Sequence, residues 1–368
     1  MFSKLLQIKN ALNQKFLDRE KEIEAMLVAL LSRQHILLIG PAGTGKSALS
    51  MELAKIVNGS NYFQWLLTRF STPEELFGPL SLKELEKGIY KRNTVAKMPE
   101  AQIVFLDEIF KANSAILNSL LTIINERLFY NNGTPIKTPL MTIIGSSNEY
   151  PEEGEGLEAL FDRFLLRFEV DYIKNDSDFI SMLKGQGQAQ QMPSISLEEL
   201  DKFQTYSDMV DIPEDVYMTL ATIRKYLQDE GIRPSDRRFK QSLSLLQSKA
   251  LLEQRQTVMI KDILLLQNSL WETADQADLV RQIVKENSQD KVTTEIERCL
   301  SESNEIFKAN SAGDVQTDNL LEASRNLKAI QQNLLNIEKA NPDRVDIKDA
   351  VNKIESYRKS LTELALNY

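Results

Sequence analysis

Three short groups of residues in this chain have the types and spacing to do chemistry. The first is Gly40-Pro41-Ala42-Gly43-Thr44-Gly45-Lys46-Ser47, which follows the apolar run Ile36-Leu37-Leu38-Ile39 and precedes the helical pattern Ala48, Leu49, Leu53, Ala54. It fits G-x-x-x-x-G-K-[ST] in the required context of a buried strand followed by a helix. Glycines at 40, 43 and 45 let the backbone turn its N–H groups inward, and those donors with the positive end of the next helix bind polyphosphate. Lys46 then meets the β- and γ-phosphates as a point charge, and the Ser47 hydroxyl takes one Mg²⁺ position. Gly40 to Ala48 are the candidate nucleotide contacts. A chance glycine turn has no reason to carry a lysine and a hydroxyl at these positions.

The second group is Asp107-Glu108, closing the apolar strand pattern Ile103-Val104-Phe105-Leu106. Asp107 is placed to hold Mg²⁺, directly or through water, and Glu108 to polarise an attacking water as general base. Apolar strands often end in acidic turns, so this pattern gains its meaning from the phosphate loop upstream. The pair favours hydrolysis over transfer to a second substrate, because a kinase has to exclude that water. The third group is Gly145-Ser146-Ser147-Asn148, ending another strand pattern. An amide there can reach the γ-phosphate or orient the water; alone, Asn148 reads as a turn residue.

These groups need a scaffold that brings strand ends together. Short β-rich runs at Ile36–Ile39, Phe63–Leu67, Ile103–Leu106, Met141–Gly145 and near Leu165–Val170 alternate with amphipathic helical stretches. That alternation predicts an α/β domain, a five-stranded parallel sheet with flanking helices, over residues 1–172. A polar stretch around Gly185 to Gln191, ending at Pro193, predicts a linker over 173–195. From 196 to 273 the pattern is helical only: Ser196 followed by Glu198 and Glu199, and Pro213-Glu214-Asp215, are helix starts, and Gly231 and Pro234 mark a stop. From 274 to 368 the spacing becomes heptad-like. Leu320, Ala323, Leu327, Ile330, Leu334 and Ile337 form one stripe, and Ile347, Ala350, Ile354, Tyr357, Leu361 and Leu364 a second, with Asn341-Pro342-Asp343 between them. They predict an antiparallel helical hairpin, with Val292–Ile306 as a third helix.

Composition sets the outer limits. The chain has 368 residues, 42% of them hydrophobic, and a formal charge of −9, so two or three domains are expected and a general nucleic-acid coat is not. One cysteine, Cys299, and one histidine, His35, cannot build a Cys/His zinc site. His35 abuts the first strand and reads as structural. No run approaches a membrane span and the opening residues lack a signal-peptide core, so a cytoplasmic protein is expected.

Taken together, these groups resemble an AAA+ ATPase, with an all-α lid following the core. More narrowly, Phe70-Ser71-Thr72-Pro73-Glu74-Glu75-Leu76-Phe77-Gly78-Pro79, Leu106-Asp107-Glu108-Ile109-Phe110-Lys111-Ala112, Leu120-Leu121-Thr122-Ile123-Ile124-Asn125-Glu126-Arg127 and Ser146-Ser147-Asn148-Glu149 resemble the MoxR family, nearest its regulatory ATPase variant A (RavA) branch. The resemblance covers residues from about 10 to 273. It implies Walker A roles for Thr44, Lys46 and Ser47, Walker B roles for Asp107 and Glu108, and a sensor 1 role for Asn148. It matches Arg163 to the arginine finger offered in trans to a neighbour's γ-phosphate, with Arg167 as runner-up. It matches Arg237, ahead of Arg238, to the sensor 2 segment of the lid. An Arg suits both posts because its fork stays charged and spreads over phosphate oxygens. Where related ATPases often carry a Gly this chain has Leu17-Asp18-Arg19-Glu20, so Phe16 and Leu17 are only the expected edge of an adenine pocket. The β-rich insertion of the RavA branch has no counterpart in the sequence.

The family also implies two inserts: a hairpin over Pro79–Lys97 around Gly88, and another over Leu128–Thr138 turning at Asn131-Asn132-Gly133. In a ring both would face the central channel, with Leu80, Tyr90, Phe129 and Tyr130 as the apolar candidates for grip. The expected function is Mg-ATP hydrolysis (ATP to ADP and phosphate) by a homohexamer or similar ring that remodels or assembles other proteins, chaperone-like, with a von Willebrand factor A domain protein as the partner the family implies. Two alternatives stand beside it. One is a ring motor on nucleic acid, which acidic charge disfavours; the other is a nucleotide-controlled binding module whose hydrolysis times partner release.

Overall fold

A computed structural model describes residues 3–151, 156–185, 192–288, 291–311, 317–340 and 345–366. Contacts divide the chain into two compact units, Met1–Ser288 and Gln289–Tyr368.

The sheet of the first unit contains β1 (Ile36–Ile39), β2 (Tyr62–Leu66), β3 (Ile103–Asp107), β4 (Thr142–Ser147) and β5 (Leu166–Glu169). Their spatial order is β2-β3-β4-β1-β5, and every pairing is parallel. Strands buried on both faces need continuous apolar runs, and β1 and the first four residues of β3 are fully buried. The fold is thus the expected α/β class. β4 runs two residues beyond the expected end because Ser146 and Ser147 continue the pairing with β1, opposite Leu38 and Ile39. That extension carries Asn148 to the same edge as the phosphate loop.

Helices Ser3–Lys15 and Glu20–Ser32 precede the sheet, and Lys46–Lys55, Ser114–Glu126 and Glu158–Arg163 connect its strands. The hairpin expected over 128–138 is present: Leu128–Asn131 pairs antiparallel with Thr134–Lys137. Asn132 and Gly133, both at positive φ, make its two-residue turn. The other insert differs from expectation. It is paired only at its base, where Leu80 bridges Arg92, and its tip is a helical turn, Leu82–Leu85. Ser81-Leu82-Lys83-Glu84-Leu85 has no alternating pattern to sustain two strands.

The stretch expected as a linker holds a helix, Asp176–Leu183, capped by the Asn175 side chain, and a short strand Ile195–Ser196 pairing with Val57–Asn58. The remainder of its glycine-glutamine segment, 186–191, lies outside the described residues. Helix Leu197–Asp208 starts with a full capping box, Ser196 and Glu199. Helices Glu214–Asp229 and Asp236–Leu252 and a 3₁₀ stretch Ile260–Asn268 follow. Helix Ala277–Ser288 packs on Ile260–Asn268 and on Glu214–Asp229. It therefore belongs with this helical layer, so the first unit ends at 288 where the sequence suggested 273.

The second unit is three helices, Lys291–Ser311, Thr317–Ala340 and Val345–Leu366. Its core contains Cys299, Leu320, Ala323, Leu327, Leu334, Ile347, Ala350, Ile354 and Leu361, so the two stripes face one another as their spacing requires. Phe307 stacks on Tyr357 with ring centroids 4.5 Å apart. The connecting residues 341–344 lie outside the described residues.

Candidate nucleotide site

Strand register assembles the site. β1 ends at Ile39 opposite Ser147 of β4, while Leu106 of β3 sits opposite Gly145 of β4. The loop after β1, the carboxylates ending β3 and the polar end of β4 thus converge on one edge of the sheet.

Gly40 donates its N–H to Ser147 O at 3.0 Å. Its φ is +154°, and a Cβ there would lie 1.9 Å from Val170 O, so no other residue fits between β1 and the end of β5. The loop then runs through Pro41, Ala42, Gly43, Thr44 and Gly45 into helix Lys46–Lys55, with Ser47 and Ala48 in its first turn. The Thr44 hydroxyl donates to Pro41 O at 3.0 Å. Lys46 is 8% exposed and folds back over the loop, donating to Gly40 O at 2.6 Å and Pro41 O at 2.9 Å. Burial pulls its ammonium below the usual lysine range, against the pull of Asp107 and Glu108. A bound phosphate would give this ammonium a charged partner in place of the two carbonyls, offsetting the cost of its burial.

Asp107 is held by two donors, the Ser146 hydroxyl and the Glu108 N–H. Glu108 adopts a left-handed backbone, φ 52°, and accepts from the Asn148 amide. Burial and then the neighbouring Asp107 charge push its carboxyl above the usual carboxylate range, with Lys111 opposing. Lys111 itself pairs with Glu149. Ser47 at the helix start and Asp107 on the facing strand give one hydroxyl and one carboxylate oxygen. That set fits Mg²⁺, which takes few protein ligands and fills its shell with phosphate and water.

The four arginines lie elsewhere. Arg163 precedes β5, whose Leu166 pairs with Ile36 at the start of β1, so it sits at the sheet edge opposite the phosphate loop. It pairs with Asp162 at 2.7 Å, and its Nε is buried without a hydrogen-bond partner among the described residues. Arg167 is 1% exposed. It donates to the backbone oxygens of Phe164, Phe161 and Trp271 and lies 4.1 Å from the Phe161 ring centroid. Arg238, 2% exposed, donates to Asp162 O and Oδ1 and to Ser269 O. Both fasten the helical layer to the sheet. Arg237 is exposed and reaches Asn125 Oδ1 at 3.3 Å, again at the edge away from the loop, since Arg127 two residues on bonds His35 at the start of β1. His35 is buried, accepts the Ile143 N–H at 2.9 Å, and burial holds it neutral, as a structural residue.

Residues 3–205 match the family model described as the MoxR domain in the MoxR-vWA-beta-propeller ternary systems. The chain belongs to the MoxR family of AAA+ ATPases. Residues 215–284 match the AAA lid domain. Two uncharacterized proteins of Methanocaldococcus jannaschii are similar: one is 41% identical over 76% of this chain and 73% of its own length, the other 40% over 74% and 72%. The chaperone MoxR1 of Mycobacterium tuberculosis is 28% identical over 42% of this chain and 41% of its own. A crystal structure from Cytophaga hutchinsonii, described there only provisionally as an ATPase, superposes with a TM-score of 0.64 at 16% identity, covering 78% of this chain and 93% of that one.

Within this MoxR chain the departure at Asp18 has a physical reason. Its φ is 56°, a left-handed conformation that Gly adopts freely and Asp tolerates, and its carboxylate accepts the Lys174 N–H at 3.0 Å. Phe16 and Leu17 are half-buried beside it, and the adjoining Lys15 pairs with Glu52 of the helix that follows the loop. The two MoxR inserts are joined: Asn131 Oδ1 accepts the Arg92 N–H at 2.7 Å and Asn132 Oδ1 the Tyr90 N–H at 3.2 Å. Tyr90 and Tyr130 are exposed and Leu80 half-buried, but Phe129 is buried and stacked on Phe77, which makes it packing. Sequence reasoning missed Ser146, which orients Asp107, and Arg19, whose guanidinium donates to Thr44 O. A serine directly before the Ser-Asn pair was the available signal for the first; the second has none in local spacing.

Proposed function

We propose that this chain is a Mg-ATP-hydrolysing MoxR ATPase that works as a homo-oligomeric ring, hexameric by family, to remodel or assemble other proteins. The observation that carries this reading is the opposition of Arg163 to Gly40–Ser47 across β1 and β5. At about 3.3 Å per strand residue, and tethered to Asp162, Arg163 is out of reach of its own phosphate loop. A neighbouring subunit would bring it to a γ-phosphate, and Arg237, on the same edge, would act on that neighbour as well.

On this reading Lys46 exchanges Gly40 O and Pro41 O for phosphate oxygens, and the loop N–H groups and the helix N-terminus hold the remaining charge. Ser47 and Asp107 hold Mg²⁺, which neutralises phosphate charge when bound. Glu108, kept in place by Asn148, takes the proton of the attacking water, and Arg163 of the neighbour stabilises the transferring group. A finger supplied in trans carries roughly 10³ to 10⁵ in rate, so assembly controls turnover. Cytoplasmic action belongs to the same reading, because ATP is supplied there. The family description points to a von Willebrand A or β-propeller partner; RavA-like character rests on motif similarity alone.

The test is ATP turnover by Arg163→Ala at assembling concentrations. A loss of at least about 100-fold with ATP binding retained supports the reading, and mixing this variant with Glu108→Gln should recover activity at mixed interfaces. Wild-type turnover by Arg163→Ala rules out the trans finger. A stable partner complex trapped by Glu108→Gln, without ATP-dependent change in that partner, would favour a timing module over a remodeller.

A further inference from the structure

We propose that Arg19 is a positioning residue: it sets the phosphate loop in its binding shape and ties it to the segment leading into the lid. This rests on the nucleotide reading above and adds a residue to it. A phosphate loop turns its N–H groups inward, which forces some carbonyls outward, and a carbonyl leaving solvent needs a donor. Arg19 supplies it. Its Nε donates to Thr44 O at 3.3 Å, and its two terminal nitrogens donate to Asp18 O and Asp171 O. The side chain spans the entry to helix Glu20–Ser32, the middle of the loop and the exit of β5.

Two features separate this from an ordinary surface arginine. Arg19 is 8% exposed, yet its hydrogen bonds among the described residues all go to backbone oxygens and none to a carboxylate. A buried guanidinium that bonds no carboxylate directly is costly, and the Glu22 and Asp171 carboxylates act on it only through space. A polyphosphate in the loop would add negative charge on the side of Thr44. The same segment is fastened twice more, by the Tyr172 hydroxyl donating to Ala42 O at 3.4 Å and the Lys174 N–H donating to Asp18 at 3.0 Å. Residues 171–174 lead directly into the helix Asp176–Leu183 and on to the lid. Ordering the loop with nucleotide therefore orders the start of that connection through Arg19.

The experiment is titration of a fluorescent ADP analogue into the full chain, paired with limited proteolysis of residues 171–195 with and without saturating ADP. Arg19→Ala should bind at least tenfold more weakly and lose the protection that ADP gives this segment in the wild type. Its kcat at saturating ATP should stay within threefold, so the effect falls on KM. Arg19→Lys keeps the charge and the stem but cannot reach three carbonyls at once; it should remain at least fivefold weaker, and it serves as the test if the alanine variant does not fold. Unchanged binding and protection in either variant overturns the proposal, as does complete rescue by lysine, which would make Arg19 a simple charge. Failure of the wild type to bind the analogue would instead overturn the nucleotide reading.

Discussion

At Glu108 the backbone and the hydrogen bond from Asn148 work together: the left-handed turn points the carboxylate back toward the end of β4, where the amide holds it. If Glu108 is the base we propose, Glu108→Gln keeps the shape and removes it, so hydrolysis should fall by about 10²–10⁴ with nucleotide affinity within threefold, as read by single-turnover kinetics and fluorescent-nucleotide binding. The arginines separate by a different measurement. Arg167→Ala strips donors from three backbone oxygens, two of them within a buried aromatic cluster, and should cost about 3 kcal/mol, visible as a lower Tm. Arg163→Ala removes only a partly exposed ion pair with Asp162 worth ~0.5 kcal/mol and should leave the Tm nearly unchanged while, on the proposed reading, activity is lost. An equal fall in Tm for both would mean that Arg163 too is structural.

At the scale of elements, local signals and tertiary contacts divide the work. Helix Leu197–Asp208 depends on its own capping box, and Ser196→Ala should destabilise the first unit by ~1 kcal/mol in denaturant melts. The hairpin Leu128–Lys137 was legible from Asn132-Gly133, because a two-residue turn with both φ positive selects those residues. The insert after Gly78 was not. Its shape is fixed by Asn131 and Asn132 reaching across from the hairpin and by Gly78, where a Cβ would come within 1.8 Å of Asn93 O. Gly78→Ala should therefore open the base of this insert, detected as faster amide exchange at Ser81 and Asn93 with the exchange of β1 unchanged.

For the whole molecule, the division at Ser288 predicts that residues 1–288 fold alone, melt cooperatively and bind nucleotide as the full chain does. A molten or aggregated fragment would contradict that division. Acid stability belongs to this scale because it reports a network across elements: Glu24, Lys249, Glu253, Arg255 and Asp262 connect helix Glu20–Ser32 to the lid. Burial alone would raise the Glu253 carboxyl, but Lys249 and then Lys261 bring it to about 2. A depressed carboxyl stabilises the fold above its unfolded value, near 4.5, and loses that contribution as pH falls toward 2. The loss should be of order 2 kcal/mol after solvent screening. Tm measured between pH 6 and 3 should fall more steeply for the wild type than for Glu253→Gln.

Spacing along the chain determined the five strands, the phosphate loop, the Asp-Glu strand end and the heptad stripes, because each depends on neighbours within a few residues: a period, a turn, a cap. Asp107, Glu108 and Asn148 were legible as strand ends beside a loop whose chemistry was already specified. Tertiary structure alone decided which arginines are fasteners, since Arg167 and Arg238 differ from the partly buried Arg163 and the exposed Arg237 in the distant carbonyls and rings they meet. It also decided that Arg19 holds the loop, through a carbonyl 25 residues away and another 152 away. Such partners meet only when parallel pairing sets the sheet order, and that order is a property of long-range packing.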